Sequence, residues 1–333
     1  MIKKIIAGIL VLAIVVLAGF KIFYKGDNVN KKLETLKENL TSYHTEATME
    51  VSSNDEKRTF YVTVDYKKDN EDNLFRISLL DKNINQEQIM LRNKDGVFVL
   101  TPKLNQVYQF KGDYPLNSPK PYLYHSLVEA FNEKETNVEK LNDGYLISYD
   151  CEYENSPSWK KQDVKLSNDL KPVWVNIYDD SNNVIVEITF SKVDFTPTYS
   201  ENFFDVNKNM ETSRNEVISS STEIELPYLP EVSVSSTLKE QTEAIINGET
   251  VYILTYEGSK EFTLTQRLLE DSNEIVIKEI SGNIVELPLG IGYYNNQNLM
   301  FIHNGVEYHI YSDSLNVSEM IEVLDSLDQV IEK

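Results

Sequence analysis

Four histidines, a single cysteine and 53 carboxylates are the groups of this 333-residue chain that could do chemistry. His303 and His309 stand on either side of Asn304-Gly305, and with His44 and His125 they could in principle ligate a metal. No cysteine pair or carboxylate–histidine spacing accompanies them, so they read as surface or hydrogen-bonded residues of strands and no metal site is expected. Asp179-Asp180-Ser181-Asn182-Asn183 has the look of a calcium loop, yet it lacks the Gly at the sixth position and the bidentate Glu at the twelfth, and it reads as a hairpin turn. Acidic pairs such as Glu270-Asp271 stand in polar stretches. They could act as glycosidase carboxylates only if folding set two of them about 5–10 Å apart in a cleft. There is no Gly-x-Ser-x-Gly, no phosphate loop and no dinucleotide fingerprint. No catalytic residue and no cofactor is expected. The 20 tyrosines read as filling for pleated faces, with glycan-stacking platforms as the alternative.

What surrounds these groups bounds their use. The formal charge is −21, and residues 225–333 hold 5 Lys or Arg against 19 Asp or Glu, which is −14 and leaves −7 for residues 1–224. Such a surface repels nucleic acid and anionic headgroups, and no basic stripe with interleaved aromatics offsets it, so nucleic acid is excluded as a partner. Cys151 is alone, which rules out an internal disulfide and leaves at most an intermolecular one, and it reads as a small hydrophobe in a strand.

Residues 5–20 carry no charge, with Lys3 and Lys4 before them and Lys21 and Lys25 after. At about 1.5 Å per residue, residues 5–24 reach about 30 Å, enough to cross a hydrocarbon core and longer than a signal-peptide core of about 7–15 residues. Leu17-Ala18-Gly19-Phe20 has the shape of a lipoprotein processing box with Phe where the lipidated Cys would stand. The expectation is a single-pass membrane anchor over residues 1–26, the bulk of the chain lying outside the cytoplasm, with a cleaved secretory signal as the alternative.

The elements that must position everything else follow in order. Leu33, Leu36 and Leu40 make the apolar stripe of an amphipathic helix. Tyr43, Ala47, Met49 and Val51 alternate with His44, Glu46 and Glu50, the pattern of a half-buried strand, and the pattern recurs over residues 59–66 and 75–80. Asp95-Gly96 predicts a tight turn into residues 96–100, apolar on both faces; Thr101-Pro102 ends that strand, and Asn105-Gln106-Val107 opens the next. Leu123, Leu127 and Phe131, with Tyr124 and Val128 beside them, predict a helix over residues 122–132. Strands at 144–154, 159–166, 172–178 and 184–195 without intervening helices predict an antiparallel meander. Residues 206–226 lose periodicity and read as a solvated linker. Beyond it, Asn247-Gly248 and Asn304-Gly305 predict two type I′ hairpins, and Asn316 with Glu319 predicts a capping box on a terminal helix carrying Met320, Val323, Leu324 and Leu327.

The order strand, Asp95-Gly96, apolar strand with Phe98, then Leu100-Thr101-Pro102 and Asn105-Gln106-Val107, with Leu74-Phe75-Arg76-Ile77 upstream and Asn117-Ser118-Pro119 downstream, resembles the LolA/RseB-like group of lipoprotein carriers and sigma-factor-regulating relatives. It looks closest to the sporulation and germination members of Gram-positive spore formers. The resemblance covers about residues 33–209. It implies a twisted antiparallel half-barrel whose concave face holds acyl chains or a protein partner, and it implies no catalysis. Tyr308-His309-Ile310-Tyr311-Ser312 and the Asp325-Ser326-Leu327 helix resemble an uncharacterised extracytoplasmic domain.

The expected fold is therefore mainly β (α+β): a transmembrane helix, a half-barrel with helices on its concave side, then a small antiparallel sheet with a C-terminal helix. The expected domains are 1–26, 27–209, a linker at 210–226 and 227–333. Phe98, Leu100, Leu123, Leu127 and Phe131 are the candidate groove. The expected role is a non-catalytic binding protein. It would be a scaffold or regulator in spore-envelope assembly or germination that docks a partner from the envelope or the spore coat and cortex machinery. The alternatives are a carrier or sensor of acyl chains of lipids or lipoproteins, and a cell-wall hydrolase.

Overall fold

The computed structural model describes residues 29–331 apart from 54–55, 70–71, 112–119, 134, 154, 217–223, 232–233, 270–273 and 288–289. The apolar span at 5–24 and the processing-box residues lie outside the described residues. Among those described, no helix is long and apolar enough to cross a membrane.

Helix α1 (Val29–Asn39) buries Leu33 completely and Leu36 in part, as their spacing requires. A meander follows: β1 (Ser42–Ser53), β2 (Glu56–Asp69), β3 (Asp72–Asp81), β4 (Gln86–Asn93), β5 (Gly96–Thr101) and β6 (Gln106–Phe110). Gly96 leaves the β4–β5 turn at φ +136°, a conformation that a side chain would strain. Pro102–Leu104 forms a 3-10 turn that Asn105 ends in the left-handed region at φ 54°. After helix α2 (Tyr124–Glu133) a second meander runs through β7 (Asn137–Leu141), β8 (Gly144–Asp150), β9 (Lys161–Ser167), β10 (Pro172–Tyr178) and β11 (Val184–Asp194). β11 pairs with β1, so the two meanders join into one sheet ordered β6-β5-β4-β3-β2-β1-β11-β10-β9-β8-β7. The Asp179 loop is a turn between β10 and β11, its carboxylate accepting from the backbone of Ser181 and Asn183.

Residues 206–216, taken from the sequence as solvated, form helix α3 (Val206–Glu216). Its polar composition hides the packing: Asp205 caps it at the backbone N–H of Lys208, while Met210, Asn209 and Ser213 are buried.

The rest of the chain builds a second sheet from β12 (Ser236–Ile246), β13 (Glu249–Gly258), β14 (Phe262–Leu268), β16 (Asn283–Leu287), β17 (Gly290–Asn295), β18 (Asn298–His303) and β19 (Val306–Tyr311). Asn247-Gly248 and Asn304-Gly305 turn with positive φ at both residues, as a type I′ hairpin demands. Helix α4 (Val317–Ile331) opens with the expected capping box: the Asn316 N–H donates to Glu319 Oε2 and the Glu319 N–H to Asn316 Oδ1, both at 3.0 Å. Its Met320, Val323, Leu324 and Leu327 pack on Leu299, Phe301, Tyr308 and Ile310.

The two sheets are not wholly antiparallel. β15 (Val276–Ile280) leaves the second sheet and pairs in parallel with β6. The edge of β6 would otherwise show a row of unused amides and carbonyls, which β15 satisfies.

Candidate binding cleft

Alternation sorts each strand of the large sheet into two faces. Toward the inner face point Tyr43, Val62, Ile77, Met90, Val99 and Tyr108, which join one core with residues from α1 and α2. Over β4–β6 this face meets the second sheet: Ile291, Tyr293, Met300 and Ile302 pack on Val99, Tyr108 and Phe110, and about 10 Å³ remains between them. Gln88 fixes the contact. Its amide nitrogen donates to the carbonyls of Ile291 and Ile302 at 3.3 and 3.4 Å, and its oxygen accepts from the Ile291 N–H at 2.8 Å. Nearby Arg58 donates to Asp81 at 3.1 Å and lies 3.3 Å from His303 Nε2. Burial, then the Arg58 charge, depress His303 to about 3, so this imidazole is neutral. Lys120 and Glu286 form an ion pair between the two units.

The five residues expected to line a groove are all buried, and the structure divides them. Leu123, Leu127 and Phe131 belong to the inner core. Phe98 and Leu100, one step out of phase with Val97 and Val99, point outward and pack with Ile89, Leu91 and Val107 beneath Phe204 and Met210. The period of two within β5 makes this division unavoidable.

The outer face of β1–β4 carries the other half of each strand. Register sets His44 opposite Asp65 and Asp65 opposite Arg76, and sets Glu46 opposite Lys192. The side chains make a row of alternating sign: Lys192 to Glu46 at 3.0 Å, Glu46 to His44 at 2.9 Å, His44 to Asp65 at 2.7 Å, Asp65 to Arg76 at 4.0 Å and Arg76 to Glu87 at 3.3 Å. The hydrogen bond to Asp65 raises the pKa of His44 against its burial, and the bond to Glu46 adds to it. An imidazolium, with two N–H donors, satisfies both carboxylates at once. Tyr61 donates to Glu46 at 2.5 Å. With His44 and Lys192, it holds the Glu46 carboxyl down at about 2.

Beside this row stands α3, packed on β5 and the Pro102–Leu104 turn. Arg76 Nε donates to Asn209 Oδ1 at 2.7 Å, and Tyr199 donates to the Tyr43 carbonyl at 2.7 Å. Between the helix and the row lies a cleft of about 750 Å³. Half-buried Tyr199 and Phe203 line it, backed by buried Phe204 with ring centroids 5.2 and 5.0 Å away. Sequence reading placed His44 and Glu46 on a polar strand face but did not find the cleft. The missing signal was α3, whose apolar content toward the sheet comes down to Val206 and Met210. Of the other histidines, His125 packs against Tyr43 and Tyr66 in the inner core. His309 lies 3.3 Å from Glu307 and 3.2 Å from Asn298.

No protein-family model matches the chain. Over 298 residues it is 30% identical to the sporulation protein YdcC of Bacillus subtilis (strain 168), the match covering 86% of each chain. Among solved structures it is similar to a chain of the Pseudomonas aeruginosa MucA/MucB complex at 11% identity, covering 88% of this chain and 96% of that one with a TM-score of 0.34. It is also similar to a putative outer membrane lipoprotein-sorting protein domain from Vibrio parahaemolyticus at 15% identity, covering 54% and 96% with a TM-score of 0.31. A sporulation protein is among the kinds of protein that the sequence motifs resemble.

Proposed function

Since the chain belongs to the family of the Bacillus subtilis sporulation protein YdcC, we propose that it is a membrane-anchored, extracytoplasmic binding protein, a scaffold or regulator of spore-envelope assembly or germination that docks a protein partner. The observation that carries this reading over an acyl carrier is the filled inner face. A carrier needs a dry cavity large enough for its chains, of the order of 300–1,000 Å³ for a small-molecule site. Here the corresponding face is packed over β4–β6 by Ile291, Tyr293, Met300 and Ile302 of the same chain, and the cavity at that contact holds about 10 Å³.

Organic extraction of the purified chain followed by mass spectrometry tests the choice. No stoichiometric acyl chain is expected; lipid present at one chain per protein would overturn the scaffold reading in favour of a carrier. For the anchor, intact mass of membrane-extracted protein should include residues 5–24. A soluble mature chain beginning near Lys21 would refute that part.

A further inference from the structure

The outer cleft is charge-balanced on a chain of formal charge −21. Its lining sets Arg76, Lys192 and Lys208 against Asp65, Glu87 and Asp194, with His44 hydrogen-bonded between Asp65 and Glu46. The charges of its floor already face opposite ones. A charged ligand would therefore lose water there without gaining an uncompensated partner, whereas an uncharged ligand meets no such cost.

The floor keeps hydrogen-bonding capacity beyond its own pairs. A carboxylate offers about four lone-pair sites; Glu87 accepts from Ser78 and Arg76. Of the five N–H groups of a guanidinium, Arg76 commits three to Asn209, Thr63 and Glu87. The opposite wall adds the hydroxyls of Thr198, Ser200 and Thr212. Beside these fixed donors and acceptors stand the rings of Tyr199 and Phe203. Aromatic rings, packed on each other with centroids 4.7 Å apart, next to an array of hydrogen-bonded polar groups complement a molecule with C–H faces and an edge of hydroxyls that both donate and accept.

We propose that this cleft binds a short, uncharged oligosaccharide, with a sugar ring against Tyr199 and Phe203 and its hydroxyls on Glu87, Arg76 and Thr212. A peptide fits less well. The floor is the middle of a sheet rather than an edge, so strand addition cannot satisfy a peptide backbone there. The site lies on the face opposite the filled one and stands independently of the protein-docking role.

The test is calorimetric titration of the full chain, held in a detergent without a sugar headgroup, with maltotriose, cellotriose and tri-N-acetylchitotriose. Trigalacturonate and a mixture of extended peptides are the comparators. Thr212→Trp fills the cleft from an exposed position of α3 without touching the charged row. Phe203→Ala removes a stacking face. At least one neutral trisaccharide should bind, trigalacturonate should not, and both variants should weaken binding about tenfold or more, Thr212→Trp with an unchanged melting temperature and Phe203→Ala with a lowered one. Absence of neutral-sugar binding, sugar binding undiminished in Thr212→Trp, or binding of peptides alone would each overturn the assignment.

Discussion

The two faces of the large sheet are built from the same strands and end as opposites. Met90 and Val99 point inward to a dry contact with a second sheet. Arg76 and Glu87 point outward to a cleft of about 750 Å³. What differs is the cover. The inner face is met over β4–β6 by a second sheet carrying its own apolar face and elsewhere by the apolar stripes of α1 and α2, so side chains interdigitate and water leaves. The outer face is covered by a polar helix that packs on β5 and the Pro102–Leu104 turn through Met210 and reaches β3 through the Asn209–Arg76 bond, and a single helix placed there leaves the outer face of the neighbouring strands open. In a fold with two candidate faces, the one whose charges are paired but whose volume is open is the one equipped to bind.

The strongest way to break that contrast is to put a charge on the filled face. Ile302 is buried between the sheets. Ile302→Ala should cost about 2–5 kcal/mol, and Ile302→Glu more, because an unpaired carboxylate there must either be protonated or admit water. Thr212→Glu, at an exposed position over the outer cleft, should stay within about 0.5 kcal/mol. Urea denaturation of the three variants checks this. An Ile302→Glu protein as stable as Thr212→Glu would show that the inner face is open.

Local chemistry made much of this architecture legible. Asn247-Gly248, Asn304-Gly305 and the Asn316/Glu319 box are short-range devices whose geometry the residues themselves dictate. The stripe Leu123, Leu127, Phe131 fixed the buried face of α2, again a local matter. The site was less legible because it depends on pairings distant in sequence. Phe98 and Leu100 were grouped with Leu123 because all are apolar, yet strand phase sends them to opposite faces. The parallel pairing of β15 with β6 joins residues some 170 apart, for which no hairpin signal exists. His44 opposite Asp65 was within reach, since the β1–β2 hairpin register implies it. The helix that turns that pair into a cleft wall contains too few apolar residues to announce itself.

Acidity sharpens the comparison, because each face holds a histidine shifted the opposite way. His303, on the inner side, is faced by Arg58, with Asp81 and Asp325 nearby and the Phe301 ring stacked on it. Its folded pKa of about 3 lies below the ordinary value of 6.5, so the unfolded chain takes up a proton first, and stability falls as pH drops from about 6.5 toward 3. His44, on the outer side, is faced by Asp65, Glu46, Lys192 and Asp194. Its folded pKa is raised, so its contribution is fully present below 6.5 and is lost as pH rises through the folded value. Denaturant midpoints measured from pH 4 to 9 should lose their acid slope in His303→Gln and their neutral-to-alkaline slope in His44→Gln. The larger change should come from His303, which is buried. If both substitutions altered the same limb of the profile, the two faces would not be electrostatically distinct.

The smallest expected effect tests whether the outer row is a coupled set or a series of independent surface pairs. Tyr61 donates to Glu46 at 2.5 Å, and that bond is the leading reason the Glu46 carboxyl sits at about 2. Tyr61→Phe removes the donor and little else. Glu46 is partly exposed, so water can take the place of the lost hydroxyl, and the cost should be about 1 kcal/mol or less after solvent screening. Because the folded pKa of Glu46 is depressed, its stabilising contribution is present above about 4.5 and is lost as pH falls toward about 2. The variant should therefore show a higher Glu46 pKa and a shallower loss of stability across that window, while stability at pH 7 hardly moves. Carbon-detected NMR titration of the Glu46 carboxyl reads the first, and acid denaturation the second. If the row acts as a unit, His44 should shift as well, because a carboxylate deprived of Tyr61 draws more on the imidazolium. A Glu46 shift with His44 unmoved would reduce the row to separate pairs and would weaken the case that the cleft floor is organised as one surface.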